Sequence, residues 1–580
     1  MYKKIVRLFG SNQIPLILFF GSLFIFLSFA GTRMLFSDEG VIVSQFYNFI
    51  HGSLELKVAK VNVEKGIYIT VANHLYGKFS YSLLVLSLPV YFALKNIDIF
   101  YGAHLFLLQI WALSGGISFY LLAKAWQIKK AFFFGLAFCL FLILVNMRSF
   151  DPIYFPKWGE IISIEFTNIL ITSFLIVMIY FLFRKIFNDK IAIFSSLFII
   201  FATPISFYAL TLKHHSLALL LTVLAFYFLY RCQEKKDIRY MYAAYILAGL
   251  CIWTRTLDGA ALMLSLLFFD IIFFRRGIKH LALIAMIIFV SLTPFFSFNQ
   301  MILGDPFSII ELHPLSDTPM RMQIEQNMIT LSEGPAKIKQ TQLLEKLGFT
   351  WGPNISTGTL DVLFDILILK LGNTFGILLI SPFLIMALAF ILDRIKGKIR
   401  LSPIDKFLGI YAVIFFILHK NYIQAIITDT PIVLEYRYLL IMYIVLLYFA
   451  LRINKVRELI ESNIKKIALL YISSAMILVF FFIEVFPSKF IGQYHSLGLV
   501  TSGSLMISLS LSIFWDNKNS FSDILDKTTL FLMSLSLALT SVLLLFYYWI
   551  VTITYISPSQ NLTIIPIMEN ILKWMYQVFL

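Results

Sequence analysis

Charge is scarce in this sequence: Asp, Glu, Lys and Arg make up 14% of its 580 residues, against about 25% in soluble globular domains. A chain so poor in charge, and 59% apolar with 60 Phe, is neither a soluble enzyme nor a disordered scaffold. Cysteine is nearly absent. Cys139, Cys232 and Cys251 stand in or beside apolar runs, with no metal-ligand spacing and no disulfide pattern. They read as small apolar packing residues. Acids are outnumbered by bases, 32 to 47, for a formal charge of +15. No compact basic domain or base-stacking platform accompanies that charge, which argues against nucleic acid as a partner.

What the sequence has in abundance is apolar runs, most of roughly 17–25 residues, the length that crosses a bilayer. They fall at 14–35, 101–123, 132–147, 161–183, 191–211, 215–231, 240–254, 257–274, 280–298, 363–391, 406–418, 438–451, 467–485, 496–515 and 529–550. The fold class is therefore expected to be an all-α polytopic membrane protein with about 13–15 transmembrane helices. The first run is too long for a signal-peptide core and lacks a small-residue cleavage site, so it reads as a retained span. No tandem repeat is evident, nor a matched pair of broken spans such as inverted-repeat transporters carry.

Basic residues set the orientation. Lys3, Lys4 and Arg7 place the N-terminus in the cytoplasm. The clusters at Lys124/Lys129/Lys130, Arg184/Lys185/Lys190, Arg231/Lys235/Lys236/Arg239, Arg275/Arg276/Lys279, Arg394/Lys396/Lys398/Arg400, Arg452/Lys455/Arg457/Lys465/Lys466 and the weaker Lys518/Lys527 then fall where an alternating topology needs cytoplasmic loops. The C-terminus is expected outside. On this scheme Phe79 to Leu94, short and interrupted by Pro89, cannot cross, because every later loop would change sides; it reads as a re-entrant or interfacial helix on the outer face. The outer segments 36–100 and 299–362 exceed simple connectors. The second holds Gly304-Asp305-Pro306, His313-Pro314 and Gly352-Pro353 turns around a helix expected at 318–347. The chain divides into an N-terminal membrane module (1–298, including outer loop 36–100), an extracytoplasmic loop (299–362) and C-terminal membrane helices (363–580).

Ionisable residues at membrane depth are costly and mark function. On the outer side they are Asp38-Glu39 after the first span, Lys213-His214-His215 in one tight turn, Arg255 and Asp258 in another, and Arg437 in Glu435-Tyr-Arg-Tyr438. A carboxylate at a cavity mouth accepts a proton or holds a divalent metal, and cations neutralise a phosphate leaving group. Each piece also has a plainer reading. Asp38-Glu39 reads as a solvated helix terminus, Lys213 as a snorkelling side chain, Arg255 with Asp258 as a helix-end ion pair, and Arg437 as an interfacial anchor. On a helix His214 and His215 point about 100° apart, which argues against a shared metal.

The order of these residues resembles the GT-C superfamily of integral-membrane glycosyltransferases, which includes protein O-mannosyltransferases and aminoarabinose transferases. The resemblance rests on Asp38-Glu39 after the first span, on Tyr76-Gly-Lys-Phe-Ser-Tyr-Ser-Leu-Leu-Val-Leu-Ser-Leu-Pro-Val-Tyr91, and on Ala202-Thr-Pro204. It continues in Gly249-Leu-Cys-Ile-Trp-Thr-Arg-Thr256, in Asn299 to Phe307 and in Glu435-Tyr-Arg-Tyr-Leu-Leu440. It implies a GT-C-like fold with outer-face juxtamembrane helices in the first long loop. It also implies transfer of a sugar from a polyprenyl-phosphate donor to an acceptor hydroxyl on the extracytoplasmic face of the plasma membrane, usually with inversion. Asp38 is then the general base and Glu39 its neighbour or substitute. Lys213, His214, Arg255 and Arg437 become donor-phosphate ligands, and Lys78, Tyr81, His215, Asp258 and Tyr438 further substrate-binding candidates. Relatives often carry an acid at the turn where this chain has His214-His215, a departure that puts a divalent metal (Mg or Mn) in doubt. The partners implied are the lipid-linked donor, a lipid, glycan or protein acceptor, and membrane lipids. Two other readings stand beside it: a lipid or polysaccharide transporter or flippase, and a non-catalytic protein of the same fold.

Overall fold

A computed structural model of the chain describes residues 13–35, 38–62, 67–274, 278–310, 313–314, 322–330, 370–371, 374–397, 399–427, 436–485, 490–515, 520–554 and 563–579. Outside them lie Lys3, Lys4, Arg7, Arg275, Arg276, Gly352-Pro353, Glu435, Lys518 and most of the 318–347 segment.

The protein is an all-α polytopic membrane protein. Among the described residues eight helices are long and apolar enough to cross a membrane, or nine when Lys279–Ser291 and Thr293–Leu303, bent by 45°, count as one. Gln13–Leu27 (α1) and Ala131–Met147 are apolar but shorter. The sequence suggests more spans because several apolar runs make helices too short for that measure. Asp189–Phe201 has 13 residues and Arg239–Thr254 has 16. The run expected as one span over 363–391 is broken: a turn at Ser381-Pro382 separates Ile377–Ile380 from a 3₁₀ segment and the helix Met386–Ile395.

After α1 comes a short helix, Glu39–Ile50 (α2), then strand Val58–Asn62 (β1) and a hairpin of Tyr68–Val71 (β2) with His74–Gly77 (β3). Ser82–Phe100 (α3) follows as 19 unbroken residues through Pro89, packed along Phe155–Ile186. It is one of the eight helices long and apolar enough to cross, which corrects the reading of a short re-entrant or interfacial helix ending at Leu94. Lys95, Asn96 and Asp98 continue the helix, and one proline removes a single ladder bond without ending it. Gly102, at φ +92, lets the chain reverse into Ala103–Ala125 (α4). Ala131–Met147 (α5) packs on α4 through small residues: a Cβ on Gly116 would stand 2.8 Å from the Cys139 Cβ and 2.9 Å from the Gly135 carbonyl. Such close approach is how helices associate in lipid.

Phe155–Ile186 (α6) is the scaffold of the site. Pro156 occupies its first turn, and it buries Glu160, Glu165 and Asn168. The next helices are Asp189–Phe201 (α7), His215–Lys235 (α8), Arg239–Thr254 (α9) and Thr256–Phe269 (α10), the last continuing through a π-helical turn, Asp270–Phe274. The 318–347 segment, expected to be helical, contributes a strand instead. Gln323–Thr330 (β4) pairs in parallel with β1, with Val58 opposite Gln323 and Asn62 opposite Thr330. The pairing joins segments 36–100 and 299–362, and no local periodicity encodes it. Basic loops meet at the other end of the bundle, where Lys185 lies 3.6 Å from Glu234 and Lys190 Nζ donates to the Glu461 carbonyl at 2.5 Å.

Candidate functional site

Asp38 occupies the N-cap of α2 but makes no capping bond, although capping is the usual work of an aspartate there. Its carboxylate turns instead to the turn before α8. Lys213 Nζ donates to Asp38 Oδ2 at 2.7 Å, and Arg437 Nη1 lies 3.8 Å from the same oxygen. All three side chains are largely buried. Burial alone would push the Asp38 carboxyl up. The Lys213 ammonium and the Arg437 guanidinium more than offset it and hold Asp38 below its usual range.

Two side chains shape the Lys213 turn. Asn168 on α6 directs Nδ2 at the carbonyls of Tyr208, Thr211 and Lys213, at 3.1, 2.9 and 3.2 Å. Glu39, fully buried, accepts the Leu212 N–H at Oε1 (2.9 Å) and the Leu35 N–H at Oε2 (2.7 Å). Both its oxygens are thus committed to backbone, tying the connection between α1 and α2 to the turn that presents Lys213. Glu39→Gln would set an amide NH₂ against one of those buried N–H groups. An unsatisfied buried donor costs about 1–3 kcal/mol, so thermal unfolding of E39Q is expected at a lower temperature than wild type.

Arg255 is the single residue between α9 and α10, in extended conformation. Its Nη1 lies 2.7 Å from Asp258 Oδ2, so the helix-end ion pair anticipated from their spacing forms. The guanidinium also covers the Tyr438 ring at 4.9 Å, and that of Arg437 stands 5.1 Å from the same ring. The two arginines, from turns far apart in sequence, are brought together on Tyr438. The remaining oxygen of Asp258 receives His419 Nε2 at 2.8 Å.

His214 and His215 depart from the geometry expected of a helix pair. His214 precedes the helix, so the 100° rule does not apply, and the rings lie 5.8 Å apart at 27°. Burial, then the neighbouring Arg255 and Lys213 charges, lower His214 to about 3. It therefore offers the site a neutral ring rather than a cation. His215 is buried edge-on to Tyr208 and Tyr438.

Lys78 and Tyr81 are placed elsewhere. Lys78 Nζ donates to the His313 carbonyl at 2.8 Å, and Tyr81 donates to the Leu54 carbonyl while stacking on Phe298. With Ser80, Trp253, Thr256 and Asn299 they line a pocket of about 30 Å³, room for little more than a water.

Chemistry of the donor set does not suit a divalent cation. Asp38 faces two cations, Asp258 faces Arg255 and His419, and among the described residues no group of three His, Cys, Asp or Glu could hold a metal ion. Sequence reasoning missed His419, which ended just outside the expected 406–418 span, and it missed the anchoring role of Glu39. An ionisable residue inside an apolar helix, here Pro403–Ile427 (α11), was the available signal for His419.

Fold and site together define a multi-pass membrane protein with a buried, cation-rich cluster where several helix ends meet. Residues 159–296, which carry Lys213, Arg255 and Asp258, match the family described as dolichyl-phosphate-mannose-protein mannosyltransferase. The GT-C resemblance read from the sequence is thereby supported over this segment. Its backbone is also similar to the crystal structure of ArnT from Cupriavidus metallidurans bound to undecaprenyl phosphate, at 14% identity and a TM-score of 0.42, over 92% of this chain and 76% of that one. No curated protein matches the sequence significantly.

Proposed function

We propose that the protein is a membrane glycosyltransferase that moves a sugar from a polyprenyl-phosphate donor to an acceptor hydroxyl on the extracytoplasmic face, with inversion. The observation that carries this is the Asp38 carboxylate held between Lys213 and Arg437, with Arg255 alongside on Tyr438. A base and a set of phosphate ligands thus share one small volume.

The acceptor oxygen attacks the anomeric carbon as the bond to the phosphate oxygen breaks, and the electron pair of that bond leaves with the phosphate. Asp38 takes the acceptor proton. As a carboxylate of depressed basicity it suits a late transfer, after the attacking oxygen has become acidic through bonding to the sugar. Lys213, Arg255 and Arg437 meet the charge gathering on the phosphate, Arg through planar bidentate contact. Glu39 and Asp258 have both oxygens engaged, so neither of these described carboxylates is poised to form a covalent glycosyl intermediate, which supports a single displacement. An apolar cavity of about 270 Å³ lined by Phe26, Phe29, Phe207, Leu210 and Tyr548 has room for isoprenoid units. Phe207 and Leu210 lead directly into the Lys213 turn.

The test is to incubate the detergent-purified protein with a labelled polyprenyl-phosphate sugar and acceptor, and to follow both free polyprenyl phosphate and glycosylated product. Movement of intact donor across proteoliposomes without cleavage would establish the transporter reading instead. The pH profile gives a second check. A depressed Asp38 stays ionised until pH falls through its lowered value, so the acid limb of kcat/KM is expected below the usual carboxylate pKa of about 4. In Lys213→Gln the offset to burial is reduced, and the limb should move to higher pH. An unmoved limb would show that a different group titrates.

A further inference from the structure

Asp38, Glu39 and Asp258 meet Lys213, Arg255 and Arg437 at this end of the bundle. Three carboxylates and three long cations balance. The fourth basic side chain is His419. Its ring is completely buried, stacked 4.0 Å from Phe415, with Nδ1 3.0 Å from the Phe415 carbonyl and Nε2 2.8 Å from Asp258 Oδ1. Both partners are acceptors, so both ring nitrogens donate, and an imidazole that donates twice is an imidazolium. His214 is held neutral by burial and its cationic neighbours, and Nδ1 of His215 has no hydrogen-bond partner among the described residues. On this hydrogen bonding the His419–Asp258–Arg255 chain carries two positive charges against one negative.

We propose that His419 is a positioning residue that keeps Arg255 electrostatically available to the leaving phosphate. Asp258 alone would fix Arg255 against Tyr438 and also neutralise it. With one oxygen taken by His419 and the other by Arg255, the carboxylate still aims the guanidinium, and the trio retains one net positive charge. The inference rests on the donor chemistry proposed above. A polyprenyl-phosphate sugar is a phosphodiester and carries one negative charge. When its anomeric carbon–oxygen bond breaks, the electron pair stays on the phosphate, which becomes a monoester with a second charge, while the acceptor proton goes to Asp38. The trio therefore interacts more strongly with the departing group than with the bound donor, and such differential interaction lowers the barrier. His419 itself touches neither substrate.

The experiment compares donor and product on one set of variants. His419→Gln keeps a hydrogen-bond donor toward Asp258 and removes the charge. Its inhibition constant for polyprenyl phosphate is expected to weaken about tenfold or more and kcat to fall by a similar factor, while donor KM changes by less than about threefold, as charge-assisted contacts to a dianion exceed those to a monoanion. The double variant H419Q/D258N removes one charge of each sign and should recover product affinity to within about threefold of wild type, because Arg255 is again uncompensated. A packing role would leave the double variant no better than the single. Should H419Q fail to fold, His419→Lys retains the charge, and a folded H419K is expected to keep the preference for product over donor. Equal losses for donor and product, an unrescued double variant, or a folded H419K without the preference would overturn the proposal. Wild-type protein that neither cleaves the donor nor binds polyprenyl phosphate would overturn the glycosyltransferase reading itself.

Discussion

Asp38→Asn is expected to lower kcat for sugar transfer by about 10²–10⁴-fold, the range that removal of a positioned general base produces, with donor KM unchanged or lower. The amide cannot take the acceptor proton. It also removes the carboxylate that Lys213 and Arg437 face, and with it one competitor for the donor phosphate. A rate loss with undiminished binding separates loss of the base from loss of the site. Breaking a buried ion pair can cost about 3–5 kcal/mol in stability, so the kinetics are to be read on protein shown to be folded and monodisperse. Transfer at close to the wild-type rate in such a preparation would remove Asp38 from the chemistry and leave it as an anchor for Lys213.

Gly259→Ala should be the most damaging small substitution in the molecule. Gly259 lies in the first turn of α10, against the last turn of α9. A Cβ there would stand 2.1 Å from the Ile252 backbone nitrogen and 2.5 Å from both the Cys251 carbonyl carbon and the Ile252 Cα. These are main-chain atoms, so no side chain can swing aside; the two helices must part. Overpacking of this kind costs about 1–3 kcal/mol where side chains can adjust, and more is expected here. The hinge between the helices is Arg255 itself, and Asp258 precedes the glycine. Opening the hairpin therefore moves the Arg255 guanidinium off Tyr438 and pulls Asp258 from His419. G259A is expected to show both a lower unfolding temperature and a loss of donor binding. Wild-type values for both would mean that the hairpin is far more compliant than its packing indicates.

The parts of the site legible in the sequence were those that violate a local rule. Asp38, Lys213, Arg255 and Arg437 are charges set at the ends of apolar runs, where lipid makes them expensive, and their types suit the roles of base and phosphate ligands proposed above. The Arg255–Asp258 pair was legible too, because helical spacing of three residues is a short-range signal. What escaped depends on contacts between distant segments. The role of Glu39 arises from its reach to Leu212 across the bundle. His419 acquires a contact partner only when α11 is laid beside Asp258. The 323–330 segment is a strand because β1 supplies its partner. The same limit explains α3: loop charge speaks to sidedness, but helix length is settled by every residue to Phe100.

The parallel pairing of β1 with β4 has a consequence for how the protein is made. Val58 emerges early in synthesis, whereas its partner Gln323 follows only after the turns bearing Lys213 and Arg255 have been translated. Until then the loop next to Asp38 presents an open strand edge on an incomplete bundle. Pairings so distant in sequence form slowly, and unpaired edges recruit unwanted partners. The ribosome delivers the cluster in the order Asp38, Lys213, Arg255, Arg437, and the strand that joins segments 36–100 and 299–362 comes between the last two. A nascent chain halted before residue 323 would hold Asp38 and two of the cluster's three long cations beneath an unfinished roof.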